Sequence, residues 1–550
     1  MKMLDLEMVN SRLRELPPVW RRPVDDTAHV VSSSAASTIY LPDYPIHTTF
    51  DSTASTPPLD EIREEIDPIE EIAAFTPQPT TTDAEKYVVT FDGVDDPSNP
   101  LNWPFYRRAY ITLIYALCTF GPQVSSSIYG AVATDVAKEY DVPLLVSMLG
   151  VTVFMLGIGL GPLFFAPVSE LYGRKKGVLY PLAVSGIFSV ACAVSRTFPS
   201  IMITRFFEGF FGGAPVANSG GVLGDIWRPR TRAIALVAYG LVVTGGPAVA
   251  PLIGAAFSTL GQSTGWRWTQ YFSAIYMLTM FTIGMITVPE TYAPLLLVAK
   301  ARSVRAESGN TKHHARLEEL ELSFSKIVTK HLTRPLRLLC TPIVLLISVY
   351  GAFVFGVLYI SVTAVPVAFA DVRSWPRVIA ALPSLGVFCG CLLGAIGNVS
   401  VSVHYGRVME RNGGRLVPEE RLHAMKIGSL LMPVGLFLFG WTASPQCFWL
   451  APVAGLALLA AGFTTIFQGC LNYLIDAFPR HAASVVAATT FLRSVAAAGF
   501  PIVGRVMFTE LGVPWGASII AFVAVVMVPI PFAFYRYGAK IREKVTIPIY

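Results

Sequence analysis

Residues 161–177 read GPLFFAPVSELYGRKKG: an apolar run, a carboxylate at Glu170, then Tyr172-Gly173-Arg174 with Lys175 and Lys176 behind it. A helix leaving a hydrocarbon layer for the cytosol looks like this, because Lys and Arg collect on the side that is not translocated. The turn returns later as Tyr405-Gly406-Arg407. Two more pairs keep the same order. Asp225, with Pro229 and Arg230 after it, matches Asp476 with Pro479 and Arg480; Pro251-Leu252-Ile253-Gly254 matches Pro501-Ile502-Val503-Gly504. One short match means little, but three in register indicate a duplicated unit.

Hydropathy supplies the rest of that unit. The chain is 53% hydrophobic and only 14% charged, where a soluble domain carries about 25% charged residues. Between the charged segments lie apolar runs of about 20 residues, enough to cross roughly 30 Å of hydrocarbon. About twelve spans follow, near residues 109–130, 145–168, 177–196, 200–223, 233–258, 270–289, 341–367, 378–399, 424–443, 448–474, 482–505 and 515–536. The predicted fold is an all-α integral membrane protein of twelve helices in two pseudo-symmetric six-helix bundles. Residues 1–105 form a Ser/Thr/Pro-rich, acidic segment that cannot bury enough apolar area to order itself; it is expected to be a disordered cytosolic tail. The halves are 106–290 and 341–537, joined by a polar cytosolic middle loop, 291–340, and followed by a cytosolic tail, 538–550.

With the N-terminus inside, inner segments hold roughly three times as many Lys and Arg as outer ones, so both termini are read as cytosolic. The sequon at Asn398 then faces the cytosol and carries no glycan. The net charge of +5 is spread over many loops, unlike the basic stripe that nucleic acid requires. Seven cysteines show no ligand spacing and read as apolar core residues. No phosphate-binding GxxxxGK[ST] loop occurs, which argues against direct ATP drive. The string Gly261 to Gly265 matches GxSxG but lacks a strand-turn-helix setting. No enzyme activity, cofactor or metal site is expected.

Several stretches together resemble the major facilitator superfamily, and within it the fungal twelve-helix drug:proton antiporters. The loop motif around Glu170, Gly173, Arg174 and Lys175 is similar to the family signature after its second helix, with Glu170 where the family has Asp. Gly240, Gly245, Gly246, Pro247, Pro251 and Gly254 resemble the Gly/Pro motif of proton antiporters. Arg205 in RFFEGFFGG matches the arginine of the family's fourth helix. Asp96 to Trp103, Gly265 to Trp268, Pro289 to Tyr292 and Pro418-Glu419 extend the resemblance over about residues 90 to 540. It implies binding of substrate between the halves near mid-membrane, followed by alternating access.

The charges and polar groups then take roles. Ionisable residues are costly inside a membrane and so are functional candidates. Arg205 and Glu208, three apart, share one helix face and are candidate proton-coupling residues; a permanent structural ion pair is the other reading. Arg493 is a third candidate, facing either the cavity or the cytosolic side. Glu170, Gly173, Arg174, Lys175, Asp225 and Asp476 are expected to form a conformational latch, with Arg174 on Asp225 and Glu170 at a neighbouring helix N-terminus. Gln123, Asn218, Tyr359, Gln468, Asn472 and Tyr473 are candidate cavity residues. The expected function is proton-coupled efflux of amphipathic small molecules, by a monomer in the plasma membrane, with substrate, protons and lipid as partners. A proton symporter for a nutrient or polyamine, and a non-transporting receptor on the same scaffold, are the alternatives.

Overall fold

A computed structural model describes residues 87–544 apart from 94, 260–264, 320–334, 336, 412–416 and 479–481. The acidic tail up to residue 86, Arg334, Arg415, Pro479, Arg480 and most of the GxSxG string lie outside the described residues.

Twelve long helices lie where the hydropathy placed them: α1 Phe105–Glu139, α2 Leu144–Tyr172, α3 Arg174–Ala193, α4 Phe198–Ile226, α5 Pro229–Ser258, α6 Gly265–Thr287, α7 Pro342–Pro366, α8 Ser384–Arg411, α9 Leu422–Thr442, α10 Leu450–Ala477, α11 Ala482–Glu510 and α12 Gly512–Met527. Ten of the twelve are long and apolar enough to span by composition alone. The other two are α4, which carries Arg205 and Glu208, and α6, which opens on Trp266-Arg267-Trp268-Thr269-Gln270. Prolines sit inside α1, α2, α3, α4, α5, α9 and α11. Membrane helices tolerate them because neighbouring helices and hydroxyl side chains take up the freed backbone groups.

The packing carries the duplication. In the first half α1 packs on α5, α2 on α4, and α3 on α4 and α6; in the second α7 packs on α11, α8 on α10, and α9 on α10 and α12. Adding six to each number converts one list into the other. Between lipid-facing helices the driving force is close backbone contact, which small residues allow. Gly157 and Gly161 of α2 lie against the α4 backbone near Phe206 and Phe210, while Gly209 and Gly213 of α4 lie against Phe154 and Ile158 of α2. Gly386, Gly390 and Gly394 of α8 meet the α10 backbone in the same manner at Val453, Ala457 and Ala461. The halves touch chiefly through two symmetry-related pairs, α2 with α11 and α5 with α8.

Two segments expected to be irregular have structure. The tail was expected to continue to residue 105, yet the chain is docked from Tyr87. Val88 bridges His314, with Val89 N–H donating to the His314 carbonyl (2.9 Å) and His314 N–H to that of Tyr87 (3.0 Å). Lys300 pairs with Asp92 (2.7 Å) and Asp96 (3.4 Å). The Asp92 N–H, and then that of Ser98, pull the Asp96 carboxyl down to about 2. The middle loop supplies the other side of this clasp: it begins as a helix, Ala293–Ser308, that ends on Gly309 in a left-handed conformation. The sequence missed both because each segment is polar, and they order by pairing with one another.

Candidate functional site

Three sites emerge along the seam and at the helix ends around the α2–α3 turn. The first is the buried pair of α4. Arg205 and Glu208 are both 0% exposed. Arg205 Nη1 lies 3.1 Å from Glu208 Oε2. Ser125 of α1 completes the unit: its hydroxyl donates to Glu208 Oε1 (2.6 Å) and accepts from Arg205 Nη1 (3.1 Å), and its carbonyl accepts from Arg205 Nη2 (3.1 Å). Arg205 Nε donates to the Gly150 carbonyl of α2 (3.3 Å), and the guanidinium stacks over Phe154 (4.2 Å) and Tyr129 (4.9 Å). The pair is therefore held by three helices of one half. The next residue, Ser126, points the other way and bonds the Tyr359 hydroxyl of α7, in the opposite half, at 2.8 Å. One step along a helix turns a side chain by about 100°, so adjacent serines connect the ion pair and the seam. Neither Ser125 nor Ser126 stands out in sequence, since serine is common in membrane helices.

The second site is the seam. Gly246 and Gly254 of α5 face Gln123 and Ala131 of α1, whereas Gly240 and Gly245 face Gln468 of α10 and Phe388 of α8. The Gly/Pro motif thus serves both its own half and the opposite one. Pro247 and Pro251 border a narrow crevice with Leu358, Ser361 and Val387. Gln123 is buried, with no partner for its Oε1 among the described residues; Gln468 reaches the Leu236 carbonyl of α5 at 3.5 Å. Arg493 of α11 settles on the cavity side: its guanidinium lies 4.6 Å from the Phe355 ring and 4.9 Å from that of Phe467. Asn472 is half-buried on α10. Two expected cavity residues belong elsewhere. Asn218 ties α4 to the carbonyls of Phe165 (3.1 Å) and Gly177 (3.4 Å) within the first half. Tyr473 packs on Phe534 of the C-terminal helix Pro529–Lys544. Their polar atoms marked them, but the helix face that each occupies decides where they point.

The third site is the cluster at the α2–α3 turn. Arg174 Nε pairs with Asp225 at 3.1 Å, and its Nη1 bonds Ser169 at 2.9 Å. The carboxylate at the α3 N-terminus is not Glu170 but Glu290, from the segment after α6. It accepts the backbone N–H of Arg174 (2.9 Å) and of Lys175 (3.1 Å). These are orphan donors at the positive end of a helix. Gly173 has φ +96°, and a Cβ there would run into the Glu290 carboxylate. Lys175 Nζ caps the Met285 carbonyl (2.7 Å). In the second half Asp476 pairs with Arg421 at 2.8 Å. Arg421 stands over Tyr405 at 3.6 Å. Arg421 precedes α9 as Arg174 opens α3, so it, and not Arg407 of the sequence repeat, is the spatial counterpart. The longer α8–α9 connection hides that match in sequence. Both ion pairs lie within a half, so in this conformation the cluster braces each half internally.

Contacts across the seam concentrate at the end where α1 gives way to α2. Thr152 of α2 donates to the Ala498 carbonyl of α11 (2.7 Å), and Asp135 near the end of α1 pairs with Arg377 before α8 (3.0 Å). Gln468 to Leu236 is the long contact toward the opposite end. The halves are fastened at the α1–α2 end.

Two duplicated six-helix halves, a seam lined by small and polar residues, and a deep ion pair beside it define a helical membrane transporter. A family model of the Major Facilitator Superfamily matches residues 115–501. The chain belongs to that superfamily. Efflux pump bik6 of Gibberella fujikuroi is 38% identical over 458 residues, 83% of this chain and 94% of that protein. The citrinin biosynthesis cluster MFS transporter mrr1 of Monascus ruber is 38% identical over 467 residues, 84% and 93% of the two chains. Among solved structures, the E. coli xylose transporter XylE in a partially occluded inward open conformation aligns with TM-score 0.56 over 78% of this chain and 98% of its own, at 16% identity, a likeness of fold alone.

Proposed function

We propose that this transporter exports amphipathic organic compounds (drugs, toxins or secondary metabolites) in exchange for protons, as a plasma-membrane monomer with cytosolic termini. The family and the fungal efflux relatives support the direction. The observation that carries the coupling is the adjacency of Ser125 and Ser126. Glu208, ionised, is held by Arg205 and the Ser125 hydroxyl. A proton arriving at the carboxylate removes its charge, weakens the bond to Arg205 and frees the Ser125 hydroxyl to turn. Ser126 is the next residue of the same helix and holds Tyr359 across the seam. A shift of α1 at Ser125 is therefore felt directly by α7. On this reading the proton enters from outside while the outer side is open, the loaded carrier closes there, and release to the cytosol restores the ion pair in the closed-outside form seen here. The substrate travels the other way through the seam.

The test uses labelled amphipathic compounds in pump-deficient yeast expressing the wild type or Glu208→Gln, each with and without a protonophore. Wild type is expected to lower accumulation and the protonophore to restore it. Glu208→Gln should reach the membrane at normal level yet lose the protonophore-sensitive part. Proton-driven export intact in Glu208→Gln would remove Glu208 from the mechanism; raised accumulation with wild type would reverse the direction.

A further inference from the structure

The second half contains a half-buried cation of a different kind from Arg205. Arg493 borders a narrow crevice with Ser348 and Gly351 of α7, Phe467 and Cys470 of α10, and Thr489 of α11. Its Nε has no hydrogen-bond partner among the described residues. The rings of Phe355 and Phe467 flank the guanidinium, and no carboxylate forms an ion pair with it among the described residues. Ser348, 2% exposed, opens on the same crevice, and its hydroxyl also has no partner among the described residues. Two unsatisfied donors therefore converge on one apolar space.

The contrast with Arg205 is chemical. Arg205 has a carboxylate, a hydroxyl and two carbonyls; Arg493 has two aromatic faces. Arginine keeps its charge under all cellular conditions. Stacking on rings offsets only part of the cost of taking a guanidinium out of water. A buried polar atom left unpaired is unfavourable as well. Donors without acceptors, beside rings and at the seam of a transporter, suit a ligand that brings the acceptor.

We propose that this crevice is a substrate subsite for an organic anion: a carboxylate or phenolate carried on a planar aromatic body. The anion sits on the Arg493 guanidinium and accepts from the Ser348 hydroxyl, and its ring lies against Phe467. The planar fork of the guanidinium matches the two oxygens of a carboxylate, which lysine would not reproduce. The subsite rests on the reading of the chain as a transporter of amphipathic compounds and narrows it to acidic ones.

The experiment measures binding and transport separately. A panel of fused-ring aromatic carboxylates, naphthoate among them, is titrated beside the matching methyl esters against the purified full-length protein in lipid nanodiscs, by calorimetry. Wild type is expected to bind at least one acid roughly tenfold or more tighter than its ester, as a charge-assisted bond implies. Arg493→Gln should abolish that preference, Arg493→Lys should keep only part of it, and Ser348→Ala should reduce it by severalfold. Equal affinity of acid and ester in the wild type overturns the subsite without any variant, as does the absence of saturable binding by every acid. A preference that survives in folded Arg493→Gln overturns it too. Export of the same compounds from yeast distinguishes the two readings. Acids that bind through Arg493 but are never exported leave the subsite standing and defeat the transport reading; neutral compounds exported as well as acids do the reverse.

Discussion

Arg205 shows how a charge survives where water is excluded. Four hydrogen bonds and two aromatic faces surround it, and Glu208 is just as enclosed. Removing one partner of such a pair strands the other, at about 3–5 kcal/mol. Arg205→Ala should therefore lower the thermal unfolding midpoint sharply in detergent, while the paired change Arg205→Met with Glu208→Leu should recover most of the loss. An unchanged midpoint for Arg205→Ala would mean that the carboxyl is already neutral. Gly173 is the second critical position. Its φ of +96° suits glycine alone, and a Cβ would displace Glu290 from the α3 N-terminus. Gly173→Ala and Glu290→Gln should each slow transport severalfold at equal expression; wild-type rates in both would separate the cap from conformational exchange. The sequence made Arg205, Glu208, Gly173 and Asp225 legible, because charge in an apolar run and a repeated turn stand out. It left Ser125 and Glu290 unmarked, since their roles depend on which helix lies opposite.

The helices assemble by backbone contact at glycines. Gly209 lies against the Phe154 carbonyl, so Gly209→Val must part α2 from α4 or fail to fold. Fluorescence-detected size exclusion should show loss of the monodisperse peak, and a normal peak would contradict the close packing. Which helix Gly157, Gly161, Gly209 and Gly213 face depends on the fold and not on local sequence. Outside the membrane, the clasp between Tyr87–Asp96 and the loop helix turns on His314. Its Nδ1 lies 2.7 Å from the Lys312 carbonyl and its Nε2 2.6 Å from Glu319. Both neighbours are acceptors, so both ring nitrogens need protons. The Lys312 carbonyl, and after it Glu319, raises the His314 pKa above its usual 6.5. A raised pKa gives stabilisation that is complete below the unfolded value and is lost as pH rises through the folded one. Amide exchange at residues 87–92, corrected for intrinsic rate, should accelerate as pH rises from about 6 to 8, and His314→Gln should flatten that dependence. A pH-independent corrected rate in the wild type would show that the ring stays neutral.

Across the whole molecule, the twelve spans and their duplication follow from hydropathy and three short matches. The partner of Asp476 does not, because the unequal loop moved the arginine from 407 to 421. The direction of closure was also beyond the sequence, as it depends on which seam contacts form together. One of these is the outer pair of Asp135 and the half-exposed Arg377. Exposed pairs contribute about 0.2–1 kcal/mol, so Asp135→Arg should shift the balance toward outward opening by roughly fivefold at most, and Arg377→Asp in the same chain should reverse it. Fluorescence distance measurements across the outer rim would read both; no shift with Asp135→Arg would show that the pair is bystander to closure.

Two outer arginines have a further consequence. Arg267 donates to the carbonyls of Ala193 (2.7 Å) and Ser195 (3.0 Å) after α3, and also pairs with Glu139. Arg373 donates to those of Thr442 (2.9 Å), Ala443 (3.0 Å), Ser444 (2.7 Å) and Cys447 (3.0 Å) after α9. Each collects carbonyls that a helix end leaves without partners. With the proposed orientation, the same two residues are positive charges carried through the membrane during synthesis, against the Lys/Arg bias of the sequence. Biogenesis and the finished fold then pull on them in opposite directions. Replacing both by neutral residues should ease insertion and fray the ends of α3 and α9.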